Sequence, residues 1–378
     1  MTTPLPPWPQ ADPSVLAPVA EHDDLRKVMR DILQTHASHD AVRRSTDSLT
    51  GYSEHLWALL NEEMSISALA VPEEKGGLGF GLRVLAVVLE EMGRVLAPEP
   101  VLSSAVLGTQ AVLSANPAHL PEEMVEGLLS GNLVASVALG DRAAGEVAAT
   151  ESARGWRLSG SVERVVHGGT ADLLVVLAAV EEGHALYCIE LAGEGVTRTA
   201  LESLDLTRRQ ARILLEGVPA HLLAGPDEAG DVLDRLRTMG TVALASEHVG
   251  MVQALLDMTR TYTVQRHQFD RPLASFQVVK HRIADMLVDL ERARSAALYA
   301  AAVFDEDAVS ARTPAAVAGS VCTDAVLRVA ADTVQLHGGV GFTWEHPAHF
   351  YLRRALGDEA TFGDARSHRA ELATLLGL

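Results

Sequence analysis

Residues 266–286 read RHQFDRPLASFQVVKHRIADM and combine a turn signal with the start of a long helix. The turn signal is Asp270-Arg271-Pro272, because proline fixes φ and is common in turns and at helix starts. Apolar residues then recur at steps of three and four: Phe276, Val279, Ile283, Met286, Leu290, Ala293 and Ala297. Such spacing puts them on one helix face, so it predicts a helix of a bundle.

Two further apolar stripes flank this helix in the sequence. The first comprises Ala245, Val249, Val252 and Leu256, and the second comprises Cys322, Val326, Val329, Thr333 and Leu336. Thr313-Pro314 marks a boundary between helices, because the residue before proline is biased away from helical geometry. The stripes predict an all-helical C-terminal bundle of at least three long helices over residues 228–378.

The sequence before residue 228 shows two other patterns of apolar residues. Residues 21–131 show helical spacing, as in Leu85, Val88, Leu89 and Met92, interrupted by a glycine-rich turn. Residues 132–227 hold the short runs LVASVAL, WRLSGSV, ADLLVVLAAV and ALYCIEL, which predict a small antiparallel sheet or barrel rather than a parallel Rossmann sheet. Residues 1–20 are predicted to form a proline-rich arm. The predicted fold class is therefore α+β.

Composition limits the classes of partner. Fifty acidic and 31 basic side chains give a net charge of −19, so attraction to nucleic acid or to an anionic membrane is not expected. No signal peptide and no run of about 18 uncharged apolar residues is found, so no membrane-spanning helix is predicted. Cys188 and Cys322 are too few for a disulfide framework or a cysteine metal site, and they predict buried thiols in a reducing cytoplasm.

Three stretches resemble the signatures of the acyl-CoA dehydrogenases. They are residues 266–286, residues 335–355 (QLHGGVGFTWEHPAHFYLRRA) and residues 71–81 (VPEEKGGLGFG), and the likeness extends over nearly the whole chain. The resemblance, closest to a bulky-acyl, actinobacterial-type branch, implies an N-terminal helical domain, a middle antiparallel β domain and a C-terminal four-helix bundle. It also implies FAD lying between the β domain and the bundle and reaching a neighbouring subunit of a homo- or hetero-tetramer.

The same resemblance implies the reaction and its partners. An acyl-CoA or related thioester loses an α-proton to a base and a β-hydride to flavin N5, which gives a 2,3-unsaturated thioester. The electrons then pass to an electron-transfer flavoprotein or a similar acceptor.

Four candidate FAD-binding residues lie in the first signature. Arg266 and Gln268 come at a helix end, where a guanidinium and an amide suit a pyrophosphate. Phe269 is expected to pack on the adenine. Gln277 begins the next helix, whose positive end favours phosphate, and its amide suits a base edge.

The second signature adds Gln335 and the glycines Gly338, Gly339 and Gly341. Glycine lets a cofactor approach the backbone closely, although a glycine after a helix is more often a C-cap. Each candidate has such a structural interpretation when taken alone, and only the joint spacing of the set favours cofactor binding.

The glutamate base that the resemblance implies is missing from its usual places. Phe362 stands where many relatives carry it directly before a glycine, and Gly240 stands where isovaleryl-type relatives carry it. Glu247, about two helical turns beyond Gly240, is the candidate catalytic base. The alternatives are that Glu247 pairs with an arginine as a structural residue, or that Asp364, which can also cap a turn, is the base.

Two explanations of these departures stay open. One is a homotetramer that uses Glu247 as base in a pocket reshaped for a bulky acyl group, and the other is a hetero-oligomer whose partner subunit carries the base. Residues 138–147 and 164–167 also depart from the flavin-contacting segments of the family, and His167 is interpreted as a hydrogen-bonded loop residue. A flavin monooxygenase or nitroalkane-type oxidase on the same fold and a non-catalytic partner subunit are the competing functions.

Overall fold

The computed structural model describes residues 16–17, 19–114, 120–138, 147–153 and 155–378. The chain divides into two compact units. We call the first the helical unit, which comprises Met1–Arg43, Ala86–Ala97 and Thr241–Leu378. The second is the β unit, which comprises Arg44–Leu85 and Pro98–Gly240. Since both units draw on separated stretches, they group the residues differently from the contiguous domains that the sequence predicts.

The described helices and strands follow in chain order. The helices are α1 (Ala20–His36), α2 (His39–Thr46), α3 (Glu54–Met64), α4 (Gly81–Val95), α5 (Thr109–Val112), α6 (Glu122–Leu129), α7 (Ala229–Gln265), α8 (Gln277–Glu306), α9 (Arg312–His337), α10 (Ala348–Phe362) and α11 (Ala365–Leu375). The strands are β1 (Ala135–Val137), β2 (Ala148–Ser152), β3 (Gly155–Val166), β4 (Leu173–Val180), β5 (Gly183–Glu190), β6 (Val196–Ala200), β7 (Gln210–Ala224), β8 (His267–Gln268) and β9 (Arg271–Pro272).

The sheet of the β unit closes on itself. Strand β3 pairs with β2 and β7, β5 pairs with β7 and β4, and a one-residue contact of β4 with β2 completes the ring. These pairings are antiparallel except the last, which confirms the predicted β domain. Strand β1 also pairs with β4, and this pairing is parallel. Strands β2 and β3 lie between β1 and β4 in the chain, and this long connection allows β4 to run in the same direction as β1.

The interior of the β unit is apolar. Val175, Leu186 and Cys188 from the sheet pack with Leu128 of α6 and Leu236 of α7. Both cysteines are free and buried, as predicted. Burial raises the pKa of the Cys188 thiol to about 12, so this thiol is unreactive.

A π-helix, Val101–Gly108, follows the two prolines that end the N-terminal helical stretch, and all eight of its residues are buried. Its hydrogen-bond pattern is rare and occurs frequently at functional sites. The sequence predicts only another helix at this position.

The helical unit is built around α8 and α9, which pack side by side, and α9 also contacts α10 and α11. The predicted stripes are buried on them: Met286, Leu290, Ala293 and Ala297 on α8, and Cys322, Val326, Val329 and Thr333 on α9. The prediction of an all-helical C-terminal region is confirmed. It contains five helices, α7 to α11, rather than four.

One described segment, Arg312–Phe342, is long and apolar enough to cross a membrane by length and composition alone. Charged residues such as Asp324 and Arg328 interrupt it. Of its most apolar window, 67% is buried inside the structure, and a buried core helix of a bundle meets the same criteria of length and composition.

Candidate active site

The residues after α7 form a tight, exposed hairpin that carries the first predicted FAD contacts. The backbone N–H of Leu273 donates to the Arg266 carbonyl at 2.8 Å, and β8 pairs with β9. Phe269 and Asp270 form the two-residue turn with φ of 53° and 60°, as a type I′ hairpin requires. Arg266 and Gln268 are exposed, and 86% of Phe269 is exposed, so its ring is available to an adenine.

Helix α8 begins next to this hairpin. The Phe276 ring lies edge-on to the Phe269 ring, with 6.2 Å between centroids, and the Arg271 guanidinium lies 3.9 Å from the Phe276 ring centre. Gln277 is the first residue of α8 and is exposed. Because the first N–H groups of a helix have no intrahelical partner, this end favours an anion.

The second signature forms the end of α9. Gln335, Gly338 and Gly339 are exposed, and Gly338 has a φ of 62° that favours glycine. Open space surrounds the position of a Cβ on Gly338 or Gly339 in the described residues. Gly341 differs because it is buried, and a Cβ there would lie 3.0 Å from His337 and from the Val334 carbonyl. Packing within the chain already requires that glycine.

A stacked pair joins the two signatures within the helical unit. The Tyr262 ring of α7 lies on the His337 ring of α9 with 4.2 Å between centroids, and the Tyr262 hydroxyl donates to the His337 carbonyl at 3.3 Å. The ends of α7 and α9, which carry Arg266 and Gly338, are therefore neighbours. Exposed guanidinium, amide, aromatic and glycine groups at one end of the unit fit the phosphates and adenine of FAD.

Glu247 lies on α7 and is buried, with 2% of its surface exposed. Its Oε1 accepts two hydrogen bonds from Arg354 of α10, from Nε at 3.0 Å and from Nη2 at 2.7 Å. Asp358, one turn further along α10, lies 3.9 Å from the same guanidinium and 3.2 Å from His248 Nε2. The arginine pair that the sequence left open as an alternative is thus present, and the base role of Glu247 stays a prediction.

The other positions considered for the base have apolar or structural side chains. Phe362 is the last residue of α10, and Gly363 follows with a φ of 103°. Asp364 caps α11, since its Oδ1 accepts from the Ser367 N–H at 2.6 Å and from the Ser367 hydroxyl. These bonds hold the pKa of Asp364 below its usual value. Asp364 therefore serves as a helix cap.

Gly240, the other position on α7 where relatives carry the base, has little room for a longer side chain within the β unit. A Cβ on Gly240 would lie 3.2 Å from Leu107 of the π-helix, so a longer side chain there would displace Leu107. His167 holds this π-helix, because its Nδ1 lies 2.7 Å from the Ser103 hydroxyl and its Nε2 donates to the Pro98 carbonyl at 3.2 Å. The hydrogen-bonded role predicted for His167 is what the structure shows. Residues 139–146 of the replaced flavin-contacting loop lie outside the described residues.

Sequence reasoning missed a histidine cluster beside the second signature. His337 and His346 have ring centroids 4.5 Å apart, while His349 packs on Phe350 at 4.5 Å and His39 meets the same Phe350 at 5.3 Å. Burial is the largest cause that lowers the pKa of all four histidines, and it lowers that of His346 to about 4. The only sequence signal is the density of histidines in LHGGVGFTWEHPAH.

We expect this cluster to make stability depend on pH between about 6.5, the unfolded pKa of histidine, and about 4, the folded pKa of His346. All four imidazoles have lower pKa values in the folded chain than in the unfolded chain, so acid favours the unfolded chain. The melting temperature should fall as pH falls through this window. His346→Asn keeps an acceptor for the Ala348 N–H, which His346 Nδ1 accepts at 3.2 Å, and should flatten the slope. An identical slope in this variant would exclude His346 from the effect.

Comparison with known proteins gives the following matches. The family model described as "Acyl-CoA dehydrogenase, C-terminal domain" matches residues 233–376, and "Acyl-CoA dehydrogenase, N-terminal domain" matches residues 19–132. The chain is 32% identical over 352 residues to acyl-CoA dehydrogenase IpdE2 of Mycolicibacterium smegmatis, covering 93% of this chain and 97% of that protein.

Solved structures are similar over almost the full length. One is the ChsE4-ChsE5 complex from Mycobacterium tuberculosis, with a TM-score of 0.87, 30% identity and coverage of 96% of this chain and 98% of that one. Another is a variant of the Tcur3481-Tcur3483 steroid ACAD, with a TM-score of 0.84, 29% identity and coverage of 95% and 98%.

Proposed function

The chain belongs to the acyl-CoA dehydrogenase family and is an acyl-CoA dehydrogenase, and from this premise we propose that it is one subunit of a heteromeric, FAD-dependent enzyme. The reaction forms a 2,3-unsaturated acyl thioester in the cytoplasm. FAD, when bound, supplies the flavin N5 that accepts the β-hydride. An electron-transfer flavoprotein or a similar acceptor removes the electrons.

In this proposal the residues of this chain bind the cofactor, and they do not abstract the α-proton. The Arg266 guanidinium and the backbone N–H groups at the start of α8 would hold the pyrophosphate, because both lie at exposed residues and both favour an anion. Phe269 offers an exposed aromatic face to the adenine. The amides of Gln277 and Gln335 donate to and accept from polar edges, and Gly338 leaves space for close approach.

The proposal that the enzyme has two different subunits rests on one observation, the hydrogen bonding of Glu247. A base must present a free oxygen to the α-carbon. Glu247 Oε1 instead accepts two hydrogen bonds from Arg354 in a buried environment. With Phe362 and Gly240 at the family's base positions, we place the base on the partner subunit.

The names of two similar structures support both the pairing and the substrate class. ChsE4-ChsE5 and Tcur3481-Tcur3483 each name two proteins, and the second is called a steroid ACAD. We propose a bulky, ring-bearing acyl-CoA as the substrate.

The test is to purify the chain alone and together with an unlike family member, and to measure flavin per chain and anaerobic bleaching by a steroid acyl-CoA. We expect full bleaching only from the pair. Rapid bleaching of the chain alone would show that it carries its own base. Slow reoxidation by air is expected of a dehydrogenase, whereas a monooxygenase would need an external reductase.

Within the pair, Arg266→Ala should lower bound flavin without changing the melting temperature of the flavin-free chain. Arg366→Ala, at another exposed arginine, is the matched control and should retain flavin. An unchanged flavin content in Arg266→Ala would remove the proposed pyrophosphate contact.

A further inference from the structure

The C-terminal ends of α7 and α9 are joined by two polar contacts within the helical unit. The Thr259 hydroxyl of α7 donates to the Thr333 hydroxyl of α9 at 3.0 Å, and both residues are fully buried. About one turn further along each helix, the Tyr262 hydroxyl donates to the His337 carbonyl, and the two rings stack. His337 Nδ1 donates to the Thr333 carbonyl at 2.7 Å, which fixes the imidazole ring against its own helix. Two contacts one turn apart prevent one helix end from both rotating and sliding against the other.

Tyr262 is the residue that reaches both groups of candidate FAD contacts. Its backbone carbonyl accepts from the Arg266 N–H at 2.8 Å, so Tyr262 holds the last turn of α7 before the hairpin. Its side chain holds His337, the residue directly before Gly338. The hydroxyl makes this one hydrogen bond among the described residues. The Arg266 backbone and the Gly338 backbone are therefore linked through a single side chain.

We propose that Tyr262 is a positioning residue for FAD, an inference that rests on the proposed function. Its hydrogen bond to His337 keeps the Arg266 end of α7 and the Gly338 end of α9 in the one arrangement that a single ligand contacts together. When that bond is absent, only a fraction of the molecules has both ends aligned, and the apparent affinity for FAD falls by that fraction. Tyr262 acts through Arg266 and Gly338, and its own hydroxyl is occupied by the His337 carbonyl.

A role in packing alone would need the ring of Tyr262 and not its hydroxyl. Tyr262→Phe keeps the ring and its stack on His337, and it removes only the hydrogen bond between the helix ends. In the heteromeric pair freed of flavin, we expect this change to raise the Kd for FAD about three- to tenfold, which is the effect of losing one hydrogen bond. A titration with FAD, followed by flavin fluorescence, measures the Kd.

Tyr351→Phe is the matched control. The Tyr351 hydroxyl of α10 also donates to a backbone carbonyl, that of Arg94 on α4, and it lies on neither of the two helix ends. This variant should lower the melting temperature and keep the Kd for FAD. A Kd that rises equally in Tyr351→Phe and Tyr262→Phe would overturn the proposal, because general destabilisation would then explain both.

A double-variant cycle with Arg266→Ala shows whether Tyr262 acts through that residue. If Tyr262 positions Arg266, Tyr262→Phe should raise the Kd by a smaller factor in the Arg266→Ala background than in the wild type. A residue with a merely structural role would raise the Kd by the same factor in both backgrounds, and this result would overturn the proposal.

Amide hydrogen exchange in the flavin-free chain gives a measurement that does not depend on FAD. The Leu273 N–H bonds to the Arg266 carbonyl, and the Gly338 N–H bonds to carbonyls in the last turn of α9. Both amides should exchange faster in Tyr262→Phe than in Tyr351→Phe. Equal exchange in the two variants would overturn the proposal. If exchange quickens at both amides but the wild-type pair binds no FAD, the proposed function fails while the link between the helix ends stands.

Discussion

Glu247→Ala is expected to lower the free energy of unfolding by about 3–5 kcal/mol. The change leaves the Arg354 guanidinium, 3% exposed, without the carboxylate oxygen that accepts two of its hydrogen bonds. A buried charge that loses its partner retains the full desolvation penalty, which is why the loss exceeds that of a surface ion pair. Urea unfolding at fixed protein concentration measures the effect.

The double variant Glu247→Met with Arg354→Met is the control for this interpretation. It replaces the pair by apolar side chains of similar length, so it should recover much of the stability that Glu247→Ala loses. Recovery is incomplete because Asp358 also lies 3.9 Å from Arg354, although it keeps its contact with His248. If the double variant is as unstable as the sum of two independent losses, the two side chains do not act as a pair.

Glu247→Gln separates the structural role from catalysis. Glutamine still offers an oxygen to Arg354, but it cannot take a proton. In the complete heteromeric enzyme we expect Glu247→Gln to lower stability and to keep turnover per bound flavin near that of the wild type. A folded, flavin-loaded variant without turnover would identify Glu247 as the base and remove the partner's base from the proposal.

The sequence predicts the parts of this molecule that depend on local periodicity. The stripes of α8 and α9 are visible because three- and four-residue steps record which face is buried. The parallel pairing of β1 with β4 cannot be read from the sequence, because two strands intervene between them. The π-helix is also missed, since no sequence period distinguishes it from an α-helix.

For the candidate site too, the sequence predicts the local features and misses the contacts between distant residues. Glu247 stands out as a carboxylate on an apolar helix, but Arg354 lies 107 positions away and nothing local links the two. The exposed positions of Arg266, Gln268 and Phe269 follow from the turn signal between α7 and α8. The environment of His337 and His346 depends on a fold-level contact between α7, α9 and the turn that follows α9.

Gly250→Ala is expected to destabilise the chain by about 3 kcal/mol through overpacking. A Cβ at Gly250 of α7 would lie 1.8 Å from the Glu90 carbonyl oxygen and 3.1 Å from the Arg94 nitrogen of α4. Both are backbone atoms, so the two helices must separate. In a helix interior alanine alone would gain about 1 kcal/mol over glycine, so the clash must outweigh this propensity.

Gly230→Ala provides the matched control on the same helix. Gly230 is exposed near the start of α7, and no atom of the described residues lies within 4 Å of its Cβ position. At Gly230 only the helix propensity of the residue changes, so the free energy of unfolding should stay equal or rise by up to about 1 kcal/mol. Opposite signs at the two glycines, measured by urea unfolding, identify the backbone crossing of α4 and α7 as the cause. Similar small gains at both would mean that α4 and α7 do not meet at Gly250, and the α7 geometry that places Glu247 against Arg354 would then need to be revised.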